Sequence, residues 1–421
     1  MDLIFSDLSD IKKTKNYYES EYQKALKKQL KLLQDDLSHI EIKKNIFVDS
    51  YLRPIDTVSG DLYETIDLGD DVYLLYVIDA MGKGLSASFT AMQSSVCLKR
   101  SLSYDTKFDK TLKLFVDFFK TILLENEILC INIVQFDLKT NQLQMANFGM
   151  PQLLIEYEDK RVETSFANNA PITQYSDNVD IKKISIENFR KILLFSDGLN
   201  EVLTKENEQY DDELLRDDFV KSNTVKELLQ LRADKVEKNS DDLTVIYVRK
   251  FKENSFIRKE FSAKSSMQEI IKSTQEVKEY LENLGVDRES LAEISFLTNE
   301  LMVNALEHGN YGLSSKEKQW FIKKNSYSSY INDMETINFN KTIDTLLSQY
   351  FEDDTIIIKI TITDCGNGFD VSSYFKSIAI LGDERLNGRG IIMSKEFVDG
   401  IFYNEKGNSV SIIKTVYRGK Q

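Results

Sequence analysis

Four aspartates stand where β-rich runs meet turns: Asp61 after Gly60, Asp79 behind the run 72–78, Asp197 in Phe195-Ser196-Asp197-Gly198, and Asp241 in Asp241-Asp242-Leu243-Thr244. An isolated Asp-Gly after a strand is ordinarily a turn. Four such carboxylates on one rim are a different matter, because Mg²⁺ and Mn²⁺ take about six oxygen ligands, commonly a few carboxylates plus waters. Two ions held side by side can activate a water and clamp the oxygens of a phosphoryl group during in-line displacement. Histidine-centred chemistry is nearly excluded, since His39 and His308 are the only histidines. Cys97, Cys130 and Cys365 are scattered and odd in number, which suggests neither a disulfide framework nor a zinc site.

A second constellation lies further along. Glu300, Asn304 and His308 recur at i, i+4 and i+8, which places three polar groups on one helix face. Asp364-Cys365-Gly366-Asn367-Gly368 follows a β-branched run, so a carboxylate meets a loop whose backbone can approach a ligand closely. Gly388-Arg389-Gly390 precedes a helical stretch and offers backbone N–H groups to phosphates. A lone Gly-x-Gly proves nothing. The ordered set of three suggests a nucleotide site.

The elements that must position these residues change character along the chain. Residues 1–46 are rich in lysine and glutamate, lack Gly and Pro, and are expected to be helical. Leu26, Leu30, Leu33, Leu37 and Ile40 form a coiled-coil seam, for which a homodimer through this helix is the expected partner. From 47 to 250 short strand candidates (72–78, 130–136, 152–157, 191–195 and 244–249) mix with helical stretches at 85–102, 107–124 and 211–237. Residues 251–255 read as a linker. The remainder, 256–421, predicts a strand, helices at 266–284 and 287–308, a stretch at 311–354 that is long for a loop and should be partly helical or mobile, and closing strands at 355–363 and 409–417.

A net charge of −14 argues against nucleic acid or an anionic membrane as the main partner. No apolar run approaches the roughly 20 residues that span a bilayer. The first residues lack the basic-then-apolar order of a secretory signal, and a cytoplasmic protein is expected.

Residues 54–63, 79–84, 195–201 and 241–245 resemble the metal-dependent (PPM) Ser/Thr phosphatases of the SpoIIE/RsbU branch. The resemblance implies a β-sandwich flanked by helices, with two Mn²⁺ or Mg²⁺ ions. In it Asp61 bridges both ions, Asp79 and the carbonyl of Ala80 hold one, and Asp197 and Asp241 hold the other. The catalytic role falls to Asp61 and to water activated by the ions, and the substrate would be a phosphoserine or phosphothreonine on a protein.

Residues 256–421 resemble the GHKL (Bergerat) ATP-binding fold, an α/β two-layer sandwich, and within it the RsbW/SpoIIAB serine kinases. By that resemblance Asn304 coordinates Mg²⁺ on ATP, Asp364 receives the adenine amino group, and Gly366 and Gly368 shape the pocket. His308, Gly388, Arg389 and Gly390 complete the ATP site, 371–387 form its lid, and Glu300 is the general base. The expected whole is an α+β multidomain switch enzyme. It would remove phosphate from a STAS-type anti-sigma antagonist and add phosphate to such a partner, with a sigma factor as a further partner. A phosphatase whose ATP domain only regulates, and a non-catalytic binding module, are the competing expectations.

Overall fold

The computed structural model describes residues 39–43, 46–56, 58–105, 107–251, 256–352, 355–369, 397–404 and 406–417. The expected coiled-coil helix lies outside them as far as residue 38. The chain divides into two compact units, one through Lys250 and one from Phe251.

The first unit is built on two antiparallel sheets. One runs in the order β1 (His39–Lys43), β2 (Ile46–Arg53), β11 (Leu243–Lys250), β10 (Phe189–Phe195), β7 (Leu153–Tyr157) and β8 (Val162–Ser165). The other runs β3 (Asp61–Asp67), β4 (Val72–Ala80), β5 (Leu129–Asp137), β6 (Gln142–Phe148) and β9 (Lys182–Ser185). Helix was expected as far as residue 46, and here the expectation fails. His39-Ile40-Glu41-Ile42-Lys43 alternates with the period of a strand and pairs with β2, so Ile40 does not close a helical seam.

Strand β4 shows why its sequence reads as one unbroken apolar run. Leu75 and Val77 face the other sheet and meet Val48, Ile155, Ile192 and Ile246. Leu74, Tyr76 and Ile78 face outward onto α1 (Leu85–Tyr104) and α2 (Phe108–Phe119), among Ala91, Leu98 and Phe115. Both faces are buried, and the outward one admits polar groups only where they are paired, as the Tyr76 hydroxyl is with Glu64 and Ser95. On the far side, α3 (Asp212–Lys221) and α4 (Val225–Lys235) cover Leu193, Val245 and Tyr247 with Phe219 and Leu228. The result is four layers, helices outside and sheets inside. The stretch 211–237 was expected as one helix and forms two. Thr224 accepts a hydrogen bond from the Glu227 N–H and so caps a new start for α4.

A buried ion pair fastens this outer layer to its sheet. Lys191 on β10 lies 2.6 Å from Glu156 on β7, both within 1% of full burial. Its ammonium also donates to the carbonyls of Phe219, at 2.7 Å, and Ser222, at 2.8 Å, at the end of α3.

The second unit is a two-layer sandwich. Its antiparallel sheet runs β12 (Phe256–Lys264), β13 (Thr342–Glu352), β14 (Thr355–Asp364), β16 (Ser409–Tyr417) and β15 (Gly400–Tyr403). Helices α5 (Met267–Asn283) and α6 (Arg288–Asn304) bury Ile270, Val277, Leu281, Ile294 and Leu301 against Leu347, Ile358, Ile360 and Ile412. The stretch 311–354, expected to be partly helical or mobile, folds as α7 (Ser315–Lys323), α8 (Tyr327–Ile337) and the whole of β13, the strand that was not expected. Ser314 and Glu317 close α7 with a reciprocal capping box.

Arg190 Nη1 also lies 3.0 Å from Glu156, so the carboxylate keeps one partner when Lys191 is removed. Lys191→Met is therefore expected to cost about 2–3 kcal/mol in urea unfolding followed by circular dichroism, from the weakened pair and the buried carbonyls left without their donor. Wild-type stability in the single variant would show that the pair does not hold the layers.

Candidate metal and nucleotide sites

The first candidate site lies where the strands of both sheets end. Asp61 opens β3 and sits directly opposite Asp79 near the end of β4. Asp197 begins the single 3₁₀ turn that follows β10, and Asp241 stands two residues before β11, the neighbour of β10. A hydrogen bond links the two sheets here, for the Ser196 hydroxyl donates to Asp61 Oδ2 at 2.6 Å and in turn accepts from the Thr244 N–H at 3.0 Å. Ala80, the last residue of β4, donates its N–H to the Gly60 carbonyl at 3.1 Å.

Burial and mutual repulsion dominate the electrostatics. Asp61 is held well above the usual carboxylate range, first by burial and then by the charge of Asp79. Burial, followed by the charges of Asp197, Asp241, Asp242 and Glu201, pushes Asp79 up to about 7. Asp197 is raised by burial, then by Glu201 and Asp241. A set of oxygens that resists ionisation for want of a counter-charge has the chemistry of a divalent-cation site. Among the described residues no three His, Cys, Asp or Glu side chains converge on one point. Asp61 and Asp79 face each other across β3 and β4, and the charges of Asp197 and Asp241 reach Asp79; Mg²⁺ commonly binds only one or two carboxylates and keeps several waters.

Three residues that the sequence reading passed over position this rim. Asp242 is 6% exposed, and its two carboxylate oxygens accept from the N–H groups of Ile55 and Gly60, each at 2.7 Å, which pins the loop leading to Asp61. Its backbone carbonyl fills the place a Cβ on Gly198 would need, at 1.8 Å, so Asp197 must be followed by glycine. Arg232 on α4 donates to the carbonyls of Leu199, at 2.8 Å, and Gly198, at 2.9 Å, holding the Asp197 turn from behind. It also donates to Asn239 Oδ1 at 2.7 Å, in the loop before Asp241. Nothing in sequence distinguishes Arg232 from a surface arginine of a polar helix. The Asp-Asp doublet was visible, but not the division of labour within it.

In the second unit α6 carries Glu300 and Asn304, both partly exposed. The α-helix was expected to run through His308, but it ends at Asn304 and passes into a π-turn, Ala305–Asn310. The wider turn takes His308 out of the i+8 register, and its Nδ1 contacts the Leu313 carbonyl. Asp364 ends β14, and its Oδ1 accepts from the Gly366 N–H at 2.7 Å. A Cβ on Gly309 would lie 2.3–2.6 Å from the Asp364 carboxyl, so the π-turn and the strand tip meet through a missing side chain. Asn310 joins three strands there: it donates to Ser265 Oγ at 2.6 Å and to the Thr342 carbonyl at 3.0 Å, and accepts from the Cys365 N–H at 2.8 Å. Glu300, Asn304 and Asp364 thus share one end of the sandwich, with Gly366 and Gly368 beside them. Gly388, Arg389, Gly390 and the lid 371–387 lie outside the described residues. Glu307 was also missed. It is 1% exposed and accepts from Lys318 Nζ and Tyr327 OH, which ties α7 and α8 to the π-turn.

Residues 69–251 match the family model of Stage II sporulation protein E (SpoIIE), and residues 264–414 match the histidine kinase-like ATPase domain. A curated relative, phosphoserine phosphatase RsbP of Bacillus subtilis (strain 168), is 21% identical over 174 residues. That match covers 40% of this chain and 43% of RsbP, so the chain spans under half the length of this relative. Among solved structures, the RsbU and RsbW domains of Rv1364c from Mycobacterium tuberculosis are 15% identical with a TM-score of 0.46, over 91% of this chain and 96% of that one. RsbX in complex with magnesium is 15% identical with a TM-score of 0.41, over 51% of this chain and 99% of that one. The chain carries a SpoIIE-type PP2C phosphatase domain followed by a histidine kinase-like ATPase domain. Among the described residues no helix is long and apolar enough to cross a membrane.

Gly309→Ala drives a methyl group into the Asp364 carboxyl and must displace it. Nucleotide affinity, read by titration with ADP, is expected to fall about tenfold or more, while the thermal unfolding of the first unit stays unchanged. Unaltered ADP binding would separate Asp364 from the nucleotide.

Proposed function

We propose that this chain is a partner-switching regulator that removes phosphate from phosphoserine or phosphothreonine on a STAS-type anti-sigma antagonist and, through its second unit, phosphorylates such a partner with ATP. The observation that carries the phosphatase half is the rim of four aspartates, of which burial and mutual repulsion hold back three, Asp61, Asp79 and Asp197, from ionising. The SpoIIE-type domain match and the phosphoserine phosphatase RsbP support the same reaction class.

In this proposal Asp61, Asp79, the Ala80 carbonyl, Asp197 and Asp241 would hold two divalent ions. The chemistry supplied by two bound Mg²⁺ or Mn²⁺ ions is neutralisation of phosphoryl charge and acidification of a water. The chain's own part is to keep the carboxylates aimed. Ser196 fixes the rotamer of Asp61, Asp242 holds the loop before it, and Arg232 holds the turn of Asp197. A water oxygen bonds the phosphorus as the P–O bond to the serine or threonine oxygen breaks, and a proton from that water ends on the leaving oxygen.

In the second unit Asn304 coordinates Mg²⁺ on ATP, Asp364 takes the adenine amino group, and Glu300 is the general base. A partner hydroxyl attacks the γ-phosphorus, its proton passes to Glu300, and the bond to the bridging oxygen of ADP breaks. The glycines of 388–390 and His308 would border the phosphates. Dimerisation through the amino-terminal helix and a sigma factor as second partner belong to the same proposal, as does a cytoplasmic setting.

Both halves are testable by intact mass of a purified STAS-domain protein incubated with the chain. With phosphorylated partner and Mn²⁺, Asp61→Asn is expected to abolish phosphate loss, a drop of at least about 10³-fold given the barrier that metal activation removes. Equal rates in variant and wild type would sink the phosphatase. With unphosphorylated partner and ATP, Glu300→Ala should stop phosphate gain while ADP binding persists. If wild type itself transfers no phosphate yet binds nucleotide, the second unit is a regulator and not a kinase.

A further inference from the structure

One cation reaches into the acidic rim. Lys83 sits on the turn between β4 and α1, flanked by Gly82 and Gly84, whose φ angles of +102° and +77° let the chain double back there. Its side chain crosses to the other sheet. Nζ lies 3.3 Å from Asp241 Oδ2 and donates to the Ser240 carbonyl at 2.9 Å. Among the described residues no other lysine or arginine pairs with Asp61, Asp79, Asp197 or Asp241. Its charge also draws Asp197 down against the rise caused by burial.

We propose that the Lys83 ammonium is the resident counter-ion of the carboxylate rim and competes with a divalent cation for it, so that the lysine sets how tightly the site loads. The inference rests on the metal reading of the rim. A divalent ion seated on Asp241 would stand close to the Lys83 ammonium, and the two positive charges repel. Lysine is suited to yield, being a point charge on a flexible stem. Lys83 is 53% and Asp241 42% exposed, so the pair can open into solvent without leaving a buried charge behind. The same exposure makes the pair weak, which limits the expected effect to a modest factor.

Calorimetric titration of the full chain with Mn²⁺, without substrate, tests this. Lys83→Met keeps the length of the side chain and removes its charge. It is expected to bind Mn²⁺ about threefold to fivefold more tightly than wild type, and the gain should shrink in about 1 M NaCl as charges are screened. Lys83→Arg should stay near wild type. Asp61→Asn in either background should lose binding. Unchanged or weaker Mn²⁺ binding by Lys83→Met, with circular dichroism unaltered, overturns the competition while leaving the metal site standing. Binding by wild type no better than by Asp61→Asn refutes the metal reading itself, and the competition with it.

Discussion

A hydrogen bond of 2.6 Å from Ser196 to Asp61 joins the two sheets of the first unit at the place where their carboxylates meet. Everything else in that unit can be understood as making this meeting endurable. Like charges at close range inside a dry sandwich repel strongly, and burial raises the cost of each ionised oxygen. The chain answers with rigid backbone anchors, since a loosely held aspartate would swing outward to water. Asp242 accepts two backbone N–H groups, Arg232 grips two carbonyls, and Gly198 lets the Asp242 carbonyl approach to a distance that no Cβ would allow. These fasteners come from the loop before β11, α4 and the turn after β10, so the rim depends on the first sheet and its own helical layer being closed against Asp61.

The second unit solves a different problem by a similar device. The carboxyl at the tip of β14, Asp364, stands against the end of a helix without a side chain between them. The π-turn after α6 and the bare Gly309 make that space, and Asn310 then sews the turn to three strands. The buried Glu307, held by Lys318 and Tyr327, anchors α7 and α8 to the same turn. What reads in sequence as an inserted, polar stretch is thus fastened at the strategic end of the fold.

The legible parts were those with strong local signals. The core strands β4, β5, β10 and β11 show as continuous β-branched runs because both of their faces are buried. Strands β2, β3, β6, β8 and β9 went unread. Several are short or half-polar, and their residues become strands only through pairing with neighbours distant in sequence. The 11-residue strand β13 was hidden within a polar stretch for the same reason: its register is set by β12 and β14. His39–Lys43 went the wrong way because five residues with two isoleucines fit either period, and β2 decided it.

By itself the sequence determined the chemical inventory. It holds four aspartates at strand ends, no metal-binding histidine cluster, a Glu–Asn helix face and an Asp-Cys-Gly loop, arranged in two successive halves. Those are local facts, carried by residue type and spacing. Only the tertiary structure decided which carboxylates face one another, that Asp242 holds backbone while Asp241 stays open to Lys83, and that Arg232 and Ser196 belong to the rim. Such assignments depend on contacts between residues up to 187 positions apart, a separation at which no periodicity survives. Closing the sandwich is what turned a list of acids into one electrostatic object.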